Sequence, residues 1–552
     1  MSFIRKDVEK FDPRPEQEKV LDFFFKVREK KPENKYFLLN IPTGIGKSHI
    51  AMMLADAYLD RVDRDTKIDV ITAGKILQDQ YADTYDTIRN LKGKDNYQCP
   101  KYACSCAQGM EFNRLNKGAC DACPYDSARQ GFLGGKLSLT NFYLYLIYAV
   151  YNPSLLRSRE SRLLIVDESH SLDEVMSDFI SIRVSEGTLK KMKFTNEKEV
   201  LRAFTRVRDV AGFVGFLEYL EREIHSTVGR LEGGLAIGRS ETTDQRALRI
   251  SSLTGTPTDD LKVVQVISDL RQQATKIKIF LDEYKVRPDN WVMEQSQSEK
   301  LKYRELSLEP IWSADYLDRY VWSHYDHVVL MSGTLLSKPI FTRLNGIDSG
   351  RSVYYSVPSP FPVDRRPIYY MPLGRMSWAN KEETFKKYVP MIGKILNKYK
   401  DKKGIIHTNS FELSNWIREK VENSRLIFHD SDGQAEALRR HFESEEDTVI
   451  VSPSMHTGVS FDGSKARFQV IAKVPYPSLG SQKNKLRQRT DPEWYAWRTC
   501  VSLLQALGRI NRSSSDYGET VILDESFSDV LRNSSEFIPD WVQAAIKRVP
   551  VK

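Results

Sequence analysis

The chain is poor in cysteine and in long apolar runs. Six cysteines among 552 residues cannot supply a disulfide framework for the whole fold. The longest apolar stretch, FYLYLIYAVY from Phe142 to Tyr151, has ten residues, half of the ~20 needed to cross a membrane. The N-terminal MSFIRKDVEKFD lacks the apolar core of a secretory signal. Neither an internal repeat nor a long low-complexity tract is present. A disordered chain, a collagen-like chain and a disulfide mini-scaffold are excluded. The expectation is a soluble intracellular protein without a membrane partner, cytoplasmic in a prokaryote or virus-infected cell and nuclear in a eukaryote.

Apolar residues make up 41% and charged residues 28%, ordinary globular usage. At ~100–200 residues per domain the length implies three or four domains. Net charge is +8, from 82 basic and 74 acidic residues, but it is unevenly placed. Between Lys465 and Arg512 stand ten Lys/Arg against two Asp/Glu, an excess that suggests an anionic partner; a solvated basic face would look the same on charge alone. Five of the six cysteines lie between Cys99 and Cys123. In an intracellular chain such a cluster reads as metal ligation, and the isolated Cys500 reads as a small buried residue.

Strand and helix patterns alternate through the first block: YFLLNI (36–41), SHIAMMLADAYLD (48–60), KIDVITA (67–73) and RLLIVDESH (162–170). This is the pattern of a parallel α/β sheet. The cysteine segment reads as a loop-rich insert. Within 200–224, Phe204, Val207, Val210, Phe213, Leu217, Leu220 and Ile224 recur at helical steps, and a similar stripe runs from Leu261 to Tyr284. Both predict amphipathic helices, with 229–244 as the loop between them. A second α/β block follows, with strands expected at 404–410, 425–429, 448–454, 469–477 and 520–525.

Three elements carry chemistry. IPTGIGKS (41–48) joins a strand to a helix. There Gly44 and Gly46 allow backbone N–H groups to surround phosphate, Lys47 would reach the β- and γ-phosphates, and Ser48 would ligate Mg²⁺. Ile41 stands where the strict pattern has glycine. LLIVDESH (163–170) delivers Asp167, a Mg²⁺ acid, and Glu168, which would polarise a water, at the end of a buried strand, and His170 would couple the site to its neighbours. In SLLQALGRINRSSSDYG (502–518), Gln505, Arg509 and Arg512 would share a helical face, with guanidiniums to stabilise a γ-phosphate. A P-loop kinase or small-molecule NTPase would share the first two elements but would not need the third.

DESH resembles the DEAH box, QALGRINR helicase motif VI, and SGTL (332–335) a motif III variant, with SPF (359–361) and DYG (516–518) following in order. Together they resemble the XPD/DinG branch of helicase superfamily two, from Arg14 to Gly518. The resemblance implies an α/β fold of two RecA-like parallel-sheet motor domains, the first interrupted by a small cysteine-cluster insert and a mainly helical arch. The expected bounds are 1–92, 131–170 and 310–345 for the first motor domain, 93–130 for the cluster domain, 171–309 for the arch and 346–552 for the second motor domain. Arg14 and Gln17 in RPEQ resemble the adenine-reading motif, and Thr43 belongs with the nucleotide loop. ITAGKILQDQY (71–81) and TNFYLYL (140–146) resemble DNA-contacting segments. HTNS (407–410) resembles motif IV, and GVSFDGS (458–464) motif V, with Asp462 near the ATP and DNA sites.

In this family four cysteines between motifs I and II hold a [4Fe–4S] cluster, so four of Cys99, Cys104, Cys106, Cys120 and Cys123 are the expected ligands. Cys123, in CPYDSAR, resembles the last ligand; Cys120 and Cys99 follow; Cys104 and Cys106 stay undecided, and a four-thiolate Zn²⁺ site is the alternative. The expected activity is ATP- and Mg²⁺-dependent unwinding of tailed or forked duplex DNA by a monomer moving 5′→3′ on single-stranded DNA. A translocase or scaffold in a repair or defence complex is the alternative, and repair or replication proteins are possible partners. Lys473, Lys483, Lys485, Arg487 and Arg489 are expected to meet DNA phosphates, and Tyr476 is read as core. The short stretch before Arg14 predicts no appended exonuclease.

Overall fold

Short Val-, Ile- and Leu-rich runs bounded by turn residues become buried parallel strands. The computed structural model describes residues 4–102, 104–115, 122–237, 260–297, 303–377, 379–431, 433–455, 461, 463–511 and 516–550. Among these, a first sheet of seven strands runs in the order Ser352–Ser356, Tyr36–Asn40, His327–Ser332, Ser161–Asp167, Lys67–Thr72, Leu137–Asn141 and Arg89–Asn90. All of its pairs are parallel. Helix Lys47–Arg61 is buried from His49 to Leu59, as a helix apolar around most of its circumference must be. The ten-residue apolar stretch is helix Phe142–Tyr151, started by Asn141, whose side chain accepts from Leu144 N at 3.0 Å.

A second parallel sheet has the order Leu426–Phe428, Val449–Ser452, Gly404–His407, Phe468–Ile471, Glu519–Asp524, Ile368–Gly374 and Ile546–Arg548. The chain therefore has the expected two α/β lobes. Strand Ser352–Ser356 pairs with Tyr36–Asn40, so the first lobe's sheet extends past the boundary expected at 345.

The insertions differ in detail from their sequence reading. The cysteine insert holds a two-residue ladder, Gln98–Cys99 against Cys104–Ser105, and helix Cys106–Leu115. The larger insertion pairs helices Val210–Ile237 and Asp260–Val286 but also carries an antiparallel sheet of Ile182–Ser185, Arg304–Pro310 and Trp291–Gln297. The single helix expected over 200–224 is broken: Glu197–Arg206 ends, and Asp209 Oδ1 accepts from Gly212 N at 2.8 Å to start the next helix. That helix runs on through 229, where a loop was expected, because Leu231 remains in the core. Residues 238–244 of the expected loop lie outside the described residues.

One buried ion pair fastens the cysteine insert's exit to the first sheet. Arg159 Nε lies 2.6 Å from Asp69 Oδ1, with the two side chains 0% and 3% exposed. The Arg159 guanidinium also donates to the carbonyls of Leu133 and Gly135 at the end of helix Pro124–Gly134, at 3.2 and 2.8 Å. Tyr325 OH donates to the other Asp69 oxygen at 2.8 Å. Arg159→Met leaves the Asp69 carboxylate buried without its countercharge and should destabilise the first lobe by about 3–5 kcal/mol, read as a lowered midpoint in thermal or urea unfolding.

Candidate active site

The C-terminal ends of three neighbouring strands assemble the site. Their register sets Asn40 beside Ser332 and Met331 beside Asp167. The turns that follow, 41–48, 333–335 and 168–171, open on one edge, where parallel sheets receive ligands. Gly44 and Gly46 have φ of +82° and +90°, left-handed values that a side chain opposes. A Cβ on Gly46 would also come 2.7 Å from Gln17 Nε2, and one on Gly333 would come 3.2 Å from Ile41 O. Arg14 and Gln17 brace the turn from outside. Arg14 Nη1 donates to Gly44 O and Gln17 Nε2 to Ile45 O, both at 2.8 Å, while Gln17 Oε1 accepts from Arg14 N at 2.9 Å.

Lys47, the first residue of the helix, pairs with Glu168 Oε1 at 2.9 Å. Glu168 sits at φ +55°, which turns the chain sharply after the strand. His170 faces both lobes: its Nδ1 is 2.8 Å from Ser332 Oγ and 3.3 Å from Glu168 Oε2, and its Nε2 meets the amide nitrogen of Gln505. With that amide donating, the ring proton sits on Nδ1, facing Ser332. Burial, reinforced by the Glu168 charge, raises Asp167 to about 6, against the pull of Lys47 and Tyr81. Burial opposes ionisation of Glu168 as well, but Lys47 and His170 outweigh it and hold this carboxyl well below its usual range.

Tyr81, which the sequence reading left without a role, is fully buried and donates to Asp167 Oδ2 at 3.0 Å. Only its place at the end of the 71–81 run hinted at importance. From the second lobe, helix Pro492–Leu507 presents Gln505, and Gly508 ends it so near Thr43 that a Cβ there would lie 3.6 Å from Thr43 Oγ1. Arg509 therefore falls beyond the helix rather than on a helical face shared with Gln505: the chain tightens after Gly508, with Arg509 N donating to Ala506 O at 3.2 Å. Arg509 is buried there. Arg512 and Asp462 lie outside the described residues.

The cysteines gather around a small apolar core with Tyr125, Phe132 and Leu91. Cys99, Cys104, Cys106 and Cys123 are free thiols. Cys106 Sγ and Cys123 Sγ are 4.0 Å apart, Cys99 and Cys104 face each other across the ladder, and a Cβ on Gly109 would come 2.6 Å from Cys99 Sγ. Burial, with Cys123 adding to it, pushes Cys106 up to about 11; burial and Cys99 raise Cys104. Among the described residues no three or more His, Cys, Asp or Glu side chains are grouped to hold a metal ion. Cys120 lies outside them.

The basic stretch is only partly a surface. Lys485 and Arg489 are exposed and Lys473 is half-buried. Arg487 is buried against Asp173, and Lys483 donates to Ser177 Oγ, so neither offers its charge to a phosphate in this arrangement: acidic and polar groups of the large insertion already take it. Tyr476 is 37% exposed and stacks on Tyr495 instead of entering the core. Gly46→Ala, forced out of its left-handed turn and into Gln17, should cost about 1–2 kcal/mol and weaken binding of a fluorescent adenine nucleotide, measured by thermal unfolding and by titration.

Two family models match the chain, a helicase C-terminal domain over residues 392–545 and the res subunit of type III restriction enzymes over 10–198. A probable ATP-dependent helicase of Methanocaldococcus jannaschii is 22% identical over 252 residues, 41% of this chain and 38% of that protein. A regulator of telomere elongation helicase 1 homolog of Caenorhabditis elegans is 23% identical over 107 residues, 16% of this chain and 10% of that protein. The matched stretches thus span well under two thirds of these curated relatives. Two solved XPD structures, one of them described as an XPD helicase, superpose with a TM-score of 0.62 at 15% identity, covering 97% and 98% of this chain and 100% of each of theirs. No helix among the described residues is long and apolar enough to cross a membrane. The chain thus carries segments similar to a helicase C-terminal domain and to the res subunit of type III restriction enzymes, set in an XPD-like fold over nearly its whole length.

Proposed function

We propose that the chain is an ATP-driven DNA helicase that moves 5′→3′ on single-stranded DNA and opens tailed or forked duplexes. The observation that carries the reading is the contact of Gln505 with His170. One lobe's motif VI glutamine touches the histidine that the other lobe holds beside Glu168, Ser332 and the glycine turn. A triphosphate bound at that turn would be felt by both lobes, which is what a two-lobed motor requires.

The roles follow from position. Lys47, paired with Glu168, would exchange that carboxylate for the β- and γ-phosphates. Its departure would free a Glu168 oxygen to orient a water, with His170 still beside the carboxylate. Ser48 and Asp167 suit Mg²⁺ by donor type, and the ion would neutralise charge on the phosphates. Arg509 and Arg512 would stabilise the γ-phosphate from the second lobe, with Arg14, Gln17 and Thr43 holding the nucleotide's other end and Asp462 linking to the DNA side.

The cysteine segment 93–130 and the arch 171–309 would close over the strand. Gln108 Nε2 donates to Gln265 Oε1 at 3.0 Å, and Glu111 takes Arg271 at 2.8 Å, so the two insertions already meet. The described thiols stand as two pairs, Cys106 with Cys123 and Cys99 with Cys104, whose donor type suits an iron–sulfur cluster that would draw the pairs together. Within the pair that sequence left open, Cys106 lies 4.0 Å from Cys123 and is the better ligand, with Cys99, Cys120 and Cys123 completing the set.

Lys47→Ala should abolish DNA-stimulated ATP hydrolysis with the fold intact by circular dichroism. Wild-type protein should displace the strand from a 5′-tailed duplex and not from a 3′-tailed one; hydrolysis without displacement would leave a translocase, and full hydrolysis by Lys47→Ala would remove the nucleotide assignment. Anaerobically purified protein should be brown with about four irons, and Cys106→Ser should lose them. A colourless protein carrying one zinc would replace the cluster with the alternative metal.

A further inference from the structure

A second joint between the lobes lies away from the nucleotide turn. Arg487, on helix Gln482–Thr490 of the second lobe, is 2% exposed. Its Nη1 and Nη2 reach Asp173 Oδ2 and Oδ1 at 2.6 and 3.0 Å, and its Nε donates to Ile311 O at 2.5 Å. Trp312 and Trp494 lie against the guanidinium, with ring centroids 4.7 and 5.1 Å away. Asp173 Oδ1 also accepts from Ser313 Oγ at 2.6 Å. The fork of an arginine, unlike a lysine ammonium, fixes both distance and orientation when it is bidentate and stacked.

The placement of the two partners matters more than their strength. Asp173 lies in helix Leu172–Ile180, which continues directly from the 168–171 turn bearing Glu168 and His170. Helix Gln482–Thr490 is separated only by Asp491 from helix Pro492–Leu507, which bears Gln505. The same helical pair is moored to the first lobe at further points: Asp491 pairs with Arg343 at 2.5 Å, Trp497 Nε1 donates to Leu335 O at 2.9 Å, and Arg498 pairs with Glu174. The pair thus joins the two elements whose far ends meet at His170 and Gln505.

We propose that Arg487 is a positioning residue for ATP turnover, its buried fork on Asp173 holding the helix of Gln505 in register with the Glu168–His170 turn. The inference rests on the motor reading above. An apolar contact of equal volume would hold the lobes together as firmly but would not fix rotation of one helix on the other. Loss of the fork should therefore lower the rate of hydrolysis without weakening nucleotide capture, because the glycine turn, Lys47 and Ser48 belong to the first lobe alone.

The test compares full-length Arg487→Lys, Arg487→Met, Asp173→Leu and the Arg487→Met/Asp173→Leu double variant in DNA-stimulated ATP hydrolysis and thermal unfolding. Each single apolar variant should lower the unfolding midpoint, since it leaves one buried charge alone. The double variant should regain most of that midpoint yet keep kcat about tenfold or more below wild type, with KM for ATP within about twofold. Arg487→Lys, which keeps the charge and loses the fork, should fold and show the same split in milder form. Wild-type kcat in the folded double variant, or in Arg487→Lys should the double fail to fold, would overturn the proposal, as would a rise in KM at unchanged kcat. A wild-type chain without DNA-stimulated hydrolysis would instead sink the motor reading beneath it.

Discussion

One imidazole constrains the rest of the molecule. His170 is touched by Glu168 and Ser332 from the first lobe and by Gln505 from the second, and it can satisfy all three only if two sheets separated by hundreds of residues arrive in one relative orientation. Strand order supplies the first half of that requirement. Tyr36–Asn40, His327–Ser332 and Ser161–Asp167 are neighbours in the sheet although far apart in sequence, so the nucleotide turn, the SGTL turn and the acidic turn open side by side. The helix Pro492–Leu507 supplies the second half, presenting Gln505 in its last turn and ending at Gly508 in van der Waals range of Thr43.

Much of this was legible in the sequence because the parts with one dominant physical determinant write it plainly. Buried parallel strands are apolar runs, and most of them were read correctly. Strand Ile368–Gly374 was not: Pro372 interrupts its pattern, and its register shifts between Tyr370 and Gly374. Strand Ile546–Arg548 escaped because a short edge strand can be charged on both faces. The break at Val207–Asp209 hid beneath a continuous apolar stripe, since both flanking helices pack on the same core and only Asp209, a capping residue, marked the joint. Motif-bearing residues of the first lobe were visible by type and spacing. Tyr81 was not, because a hydroxyl on helix Lys75–Thr84 that reaches a carboxylate at the end of a distant strand has no local signature.

The charge excess between Lys465 and Arg512 shows why composition under-determines a surface. Counting alone treats its cations as equivalent. Tertiary structure divides them: Arg487 and Lys483 face inward to Asp173, Ser177 and Glu309, with burial and Arg487 holding Lys483 down to about 8, whereas Lys485 and Arg489 face outward. Of the partners that claim the inward pair, Asp173 and Ser177 lie about 300 residues upstream, beyond any sequence window. A basic stretch can thus serve two ends at once, offering charge to an anionic partner from one face and anchoring its own helix with the other.

The two joints made by the insertions differ in kind, and magnitudes decide what each can do. Between the cysteine insert and the helical hairpin, Arg271 and Arg114 share Glu111 and Glu232, with both arginines about a third or more exposed at 32% and 44%. Exposed pairs of that sort contribute about 0–1 kcal/mol each and weaken with salt. At the base of the insertion the Arg487–Asp173 pair is dry and flanked by two indole rings, and separating it would strand two charges in the interior. Parting the tips of the insertions therefore costs far less than loosening their root, and it is the root that holds the helix bearing Gln505 in line with His170.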